Sequence, residues 1–155
     1  MRHLLLSVMC ALPLLGCRDA TIHRSSGDPI ATLEFRLEAD SPATSGAVPF
    51  TDPTGRPILL RPDVVIRNAD IGSVVVEESQ GHFSVGLRFI PSAASRLQRE
   101  TAANVGRRMA VLLDGKVLVA PVIRSAVAAE ARIDAGFTQE EAYRVAVSLA
   151  PPATP

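Results

Sequence analysis

The groups in this chain able to do covalent or proton-transfer chemistry are few and scattered. They are two cysteines, Cys10 and Cys17, three histidines, His3, His23 and His82, and sixteen side-chain carboxylates. A histidine metal site needs several converging ligands. Only His82 falls in the patterned body of the chain, where a solvated strand end is the simpler reading. No G-x-S-x-G elbow, S-x-x-K pair or phosphate-binding glycine loop occurs. The adjacent carboxylates Glu77 and Glu78 lie on a strand pattern, so they point to opposite faces. Glu140 and Glu141 open a helix pattern, where they complement the positive end of its dipole. No catalytic residue, metal ligand set or cofactor site is read here, and the chain is not expected to be an enzyme.

Cys17 is the exception. It closes Leu14-Leu15-Gly16-Cys17, after Arg2, His3 and an apolar run from Leu4 to Leu15. That run is about 12 residues, too short for a bilayer core that needs roughly 20. A charged start, a short apolar region and small residues before a cleavage point describe a signal peptide. The pattern resembles a bacterial lipobox, which places cleavage between Gly16 and Cys17 and makes Cys17 a lipid-bearing first residue. The plainer alternative is an ordinary signal peptide with an incidental cysteine. Each buried lipid methylene contributes about 0.8 kcal/mol, so several acyl chains would hold the protein at a membrane. No later run reaches a spanning length, so lipid would be the only anchor. Asp19 stands one place beyond the position that favours inner-membrane retention, which slightly favours the outer membrane.

Removing residues 1–16 would leave 139 residues with a net charge of about −1 and no cysteine but the lipidated one. Disulfides are then not used, and stability must come from an apolar core. Apolar residues are 47% of the chain, with only six aromatics among them. A mixed-charge, near-neutral chain argues against a nucleic-acid partner.

Residues 17–30 read as a lipidated N-terminus and flexible tether, 31–150 as one domain, and 151–155 as a disordered tail. Thr32 to Glu38 alternates as a half-buried strand. Residues 39–57, rich in Ser, Pro, Gly and Thr, read as a long loop and a candidate binding rim. Ile58 to Leu60 is a short strand stopped by Pro62, and 64–70 is ambiguous. Ser73–Glu77 and His82–Ile90 form a hairpin across 78–81, with Phe83, Val85, Leu87 and Phe89 inward and Ser84, Gly86 and Arg88 outward. Pro91-Ser92 opens a helix that Ser92 can cap. Ala94, Leu97, Thr101 and Val105 form its stripe, and Gly106 ends it. Asp114-Gly115 joins two further strands, the strongest short-range hairpin signal. Ala131–Asp134 is a last short strand. Thr138 and Glu141 form a capping box for a final helix with Ala142, Val145, Ala146 and Leu149 on its apolar face. The sum is α+β: a mostly antiparallel sheet with two helices packed on one face. Arg96, Arg99, Arg107 and Arg108 make a basic cluster, read first as a solvated face and second as a contact for anionic headgroups.

Several of these pieces, taken in order, resemble the head subdomain of the first periplasmic domain of the SecD/SecDF family. They are Leu87-Arg88-Phe89, then Thr101-Ala-Ala-Asn104-Val-Gly106, then Met109-Ala-Val-Leu-Leu-Asp114-Gly115-Lys-Val. Ala120-Pro121-Val-Ile123 and Ile133-x-x-Gly136-Phe137-Thr138-x-Glu140-Glu141-Ala142 follow, with Asp70-Ile71 upstream. The likeness spans roughly residues 58–150. It implies a SecD-head-like fold, a non-enzymatic role in protein transport, and contact with exported polypeptide. Ala128, Ala129 and Glu130 stand where the family carries a glycine-rich turn. The transmembrane, proton-coupled machinery and base subdomain of SecD are not matched.

The chain is therefore expected to be a lipid-anchored binding module on the periplasmic face of a membrane in the bacterial envelope. Its partners would be the bilayer through acylated Cys17, and an unfolded polypeptide or an envelope protein. The alternative is a structural lipoprotein packed on a membrane complex, with no part in export.

Overall fold

The computed structural model describes residues 21–127 and 129–153. Among the described residues eight strands and two α-helices follow one another: β1 (Leu33–Glu38), β2 (Val48–Thr51), β3 (Pro57–Arg67), β4 (Ile71–Ser79), β5 (His82–Phe89), α1 (Pro91–Ala103), β6 (Met109–Leu113), β7 (Lys116–Val119), β8 (Glu130–Phe137) and α2 (Gln139–Leu149). The mostly antiparallel α+β expectation holds, with the strands divided between two sheets. The larger has the order β2-β3-β1-β6-β7 and the smaller β4-β5-β8. Every pairing between these strands is antiparallel.

Alternation decides which sheet face is dry. In β1, Leu33, Phe35 and Leu37 are buried while Glu34, Arg36 and Glu38 are half-buried. The buried three join Met109 and Val111 of β6, Val74 of β4, Val85, Leu87 and Phe89 of β5 and Ile133 of β8 in the main core. Phe35 meets Phe89 edge to face, with centroids 5.9 Å apart at 87°. The helices close this core. Ala142, Ala146 and Leu149 recur at helical spacing on the buried side of α2, which packs against β4 and β5. In α1 the buried stripe is Ala93, Leu97 and Thr101, and this helix lies beside β3. The other face of the large sheet holds a smaller cluster of Ile58, Leu60, Ala110, Leu112 and Val117, with Phe50 packed on it.

The turns behave as their chemistry requires. Asp114 and Gly115 both have positive φ, 49° and 77°. Asp114 also accepts the Thr32 N–H at 2.8 Å and donates its own N–H to Thr32 O, so the hairpin turn fixes the start of β1. Thr138 and Glu141 form the expected capping box.

Four local expectations are corrected. The loop 39–57 contains β2, which pairs with β3. The strand from Ile58 does not stop at Pro62; β3 runs through it to Arg67, because a register shift opposite Pro62 removes the need for its missing N–H. Ser92 does not cap α1. Ile90 is the N-cap, with no side-chain hydrogen bond, and Pro91 is the first helical residue. Ser84 and Gly86 of β5 are not open to solvent but buried, and a Cβ on Gly86 would lie 2.7 Å from Glu77 Oε1 and 2.8 Å from Val75 Cγ2. In addition Val105, expected on the α1 stripe, is 55% exposed beyond the helix end.

The described parts of the expected tether and tail make backbone contacts with each other and with the domain. Ile22 donates its N–H to Val74 O at 2.8 Å, Arg24 to Pro151 O at 3.3 Å, and Ala31 to Ser148 O at 3.4 Å. Pro152, within the expected tail, forms a parallel bridge with Arg24.

Candidate binding edge

β2 is an edge strand of the large sheet, held by braced turns on both sides. β2 pairs with β3 on one side only, and Val48 is 41% exposed. Pro49 contributes no N–H to either side of the strand. Phe50, on the same face of the strand as Val48, packs onto the small cluster that also holds Val117 of β7. The large sheet therefore curls, with its first and last strands contributing to one apolar patch.

The following turn is built by Asp52, which is buried. Its Oδ1 accepts the Thr54 N–H at 2.9 Å, the Thr54 hydroxyl at 2.6 Å and the Arg56 N–H at 3.0 Å. Such an aspartate turn supplies locally the partners a ladder would otherwise give. Hydrogen bonding, led by the Thr54 hydroxyl, holds the Asp52 carboxyl below its ordinary range. Arg108 ties this turn to the sheet. Its guanidinium grips Glu38 at 2.7 and 3.2 Å and reaches Asp52 at 3.4 Å. The hydrogen bonds from Arg108 outweigh desolvation and lower the Glu38 pKa. At the preceding turn, Asp40 pairs with Arg61 at 2.6 Å and with Arg107. Both sides of β2 are thus held by arginine–carboxylate contacts.

These contacts also settle most of the arginine cluster. Arg107 and Arg108 serve the β2 turns. Arg96 donates to Val65 O at 2.7 Å and pairs at 2.6 Å with the buried Asp70, which caps the short turn after β3. Arg99 is exposed. Three of the four arginines are therefore engaged inside the protein, which leaves little free charge for headgroups.

Of the other residues singled out in the sequence, His82 sits at the exposed end of β5 opposite Ser79. Glu77 reaches Arg132 at 2.5 Å, whereas Glu78 is exposed on the opposite side. Thr101 accepts the Val127 N–H at 2.8 Å and donates to Leu97 O at 2.7 Å, joining α1 to the segment before β8. Ala129, in the segment where the family has its glycine-rich turn, accepts the Phe89 N–H at 2.9 Å. Cys17 lies outside the described residues. Among the described residues no group of three or more His, Cys, Asp or Glu could hold a metal ion. Nor is any helix long and apolar enough to cross a membrane. The sequence reading missed β2 itself. Its only local signal is the short alternation Val48-Pro49-Phe50-Thr51, disguised by the proline.

Fold and edge define a two-sheet α+β domain whose charged residues largely brace strands and turns, and whose open features are strand edges. A model of the SecDF P1 head subdomain matches residues 45–153, and the chain belongs to that family. The match begins upstream of the motifs that carry the resemblance and takes in β2. The protein translocase subunit SecD of Elusimicrobium minutum is 33% identical over 131 residues, covering 83% of this chain and 26% of the relative. The protein translocase subunit SecDF of Thermus thermophilus is 34% identical over 87 residues, 55% of this chain and 12% of the relative. The chain thus spans about a quarter or less of these relatives. A solved structure of "a membrane component SecDF that enhances protein export" superposes with a TM-score of 0.62 at 28% identity, over 78% of this chain and 62% of that one. SecDF in a super-membrane-facing form superposes at 0.60 with 29% identity, over 77% of this chain and 18% of the other.

Proposed function

We propose that this protein is a lipid-anchored module of the bacterial envelope that acts in protein transport by contacting extended polypeptide on the periplasmic side. The family match over residues 45–153 carries this reading. Membership brings the head subdomain, and the relatives bring protein export as the setting. The chemistry available at the domain agrees with binding. Extended chains add to sheet edges through main-chain hydrogen bonds, with side-chain pockets providing selectivity. The β2 edge, with Val48 part-exposed and its turns clamped, is the element assigned to this contact.

Cys17 is assigned as the attachment point, acylated after cleavage at Gly16. The periplasmic face of a membrane follows from that lipid, with the outer membrane slightly favoured. Intact mass of the membrane-extracted protein tests the anchor: a chain beginning at triacylated or diacylated Cys17 is expected, and an unmodified N-terminus would overturn it. Fluorescence anisotropy with a permanently unfolded model polypeptide tests the contact. Saturable binding that weakens on Val48→Asp is expected. Absence of binding would favour a structural lipoprotein packed on one envelope complex.

A further inference from the structure

The segment that leads to Cys17 is fastened to the small sheet within five residues of that cysteine. Ile22 extends the free edge of β4 through its N–H to Val74 O, at 2.8 Å, and its side chain packs on the main core. Thr21 lines a shallow groove on the outer face of the same sheet, together with Val75, Glu77, Gly86, Arg88 and Glu130. Further along, Arg24 is held by Pro151 and Ala153, and Ala31 by Ser148. The chain between Cys17 and the domain is therefore not a free leash to residue 30.

Chain geometry turns this docking into an orientation. Five residues, fully extended, reach at most about 18 Å, whereas a segment free up to Ala31 would reach about 50 Å. With a lipid on Cys17, the point at which β4 meets Ile22 must stay within that shorter distance of the bilayer. Ile22 packs on the main core, whereas Phe50 of β2 packs on the separate cluster held by the other face of the large sheet.

Resting on the lipidation of Cys17 proposed above, we propose that the β4 edge and outer face of the small sheet are the membrane-proximal side of the domain. The β2 edge then points away from the lipid, toward the aqueous space where an extended chain would arrive. The proximal face carries balanced charge, Arg88 with Glu130 and Arg132 with Glu77. The short docked link, not attraction to anionic headgroups, sets the orientation, so it is insensitive to salt.

The test uses the full lipidated protein in vesicles whose headgroups carry an energy-transfer acceptor. A donor is attached either at Arg88→Cys, on the proximal face, or at Ser45→Cys, in the turn before β2. Arg88 and Glu130 side chains are 68% and 63% exposed, so labelling there leaves the fold intact. Transfer from the Arg88 site is expected to exceed that from the Ser45 site at both low and high salt. Ten Gly/Ser residues inserted between Asp19 and Ala20 lengthen the link without touching the domain and should abolish the difference. Ile22→Pro, which removes the donor to Val74 while Arg24 stays held by Pro151 and Ala153, should narrow the difference without abolishing it. Equal transfer from both sites in a protein whose intact mass shows the lipid overturns the orientation and leaves the anchor standing. An intact mass without lipid overturns the anchor, and the orientation with it.

Discussion

Arg108→Met is the perturbation that most directly loosens the braced edge. Methionine keeps an aliphatic stem and removes the guanidinium. Hydrogen bonds to Glu38 at 2.7 and 3.2 Å disappear, with the longer contact to Asp52. A hydrogen bond to a charged group contributes about 1.5–3 kcal/mol, whereas an exposed ion pair contributes about 0.2–1 kcal/mol. The Arg108 and Glu38 side chains are 23% and 29% exposed. Solvent screening at that exposure places the pair between the two limits, at about 1–2 kcal/mol. In a domain of this size each ~1 kcal/mol moves Tm by about 3–6 °C. Thermal unfolding followed by circular dichroism at neutral pH should then show a fall of about 3–12 °C. Amide exchange should accelerate first at Gly55 and Arg56, whose N–H groups bond to Asp52, and leave α2 protected. The pH dependence follows from the sign of the shift. Arg108 lowers the folded-state pKa of Glu38, so the stabilisation is complete above the ordinary carboxylate range and is lost as pH falls through the folded pKa. The gap between parent and variant should be widest near neutrality and close as pH falls through the lowered folded pKa of Glu38. A variant as stable as the parent at neutral pH, or a gap that persists in acid, would show that Arg108 does not stabilise the edge through Glu38.

Other expected outcomes follow the same logic. Thr101→Val keeps the volume but leaves the Val127 N–H without its acceptor, so it should destabilise by about 1–3 kcal/mol in chemical denaturation, with exchange at Val127 accelerated; Thr101→Ser should retain that protection. Gly86→Ala must displace Val75 and Glu77, disturbing the Glu77–Arg132 pair, and should lower stability by about 1–3 kcal/mol in urea titration. Thr138→Ala removes the N-cap of α2 and should cost about 0.5–2 kcal/mol by the same titration.

The parts of the fold legible in the sequence are those with local causes. The alternation of Leu33, Phe35 and Leu37, the Asp114-Gly115 turn and the Thr138–Glu141 box each declare themselves within a few residues. What escaped depends on distant partners. β2 exists because β3 offers it a ladder, and its own four residues include a proline. β3 passes Pro62 only because β1 tolerates a register shift there. Ile22 is ordered by the edge of β4, about fifty residues downstream. The arginines look alike in sequence, yet the fold assigns Arg96 to Asp70 and Arg108 to Glu38 and Asp52. The family was legible in ordered motifs. The candidate edge was legible only as a loop of unusual length.

On the proposed function, the braced β2 edge meets extended polypeptide in the envelope. The most direct measurement places a photocrosslinking amino acid at Val48 of the full-length protein in growing cells and identifies the captured products by mass spectrometry. Many different exported chains are expected, captured from Val48 and not from a control position at Glu78 on the small sheet. Capture of one fixed envelope protein, or equal capture from both positions, would contradict that contact.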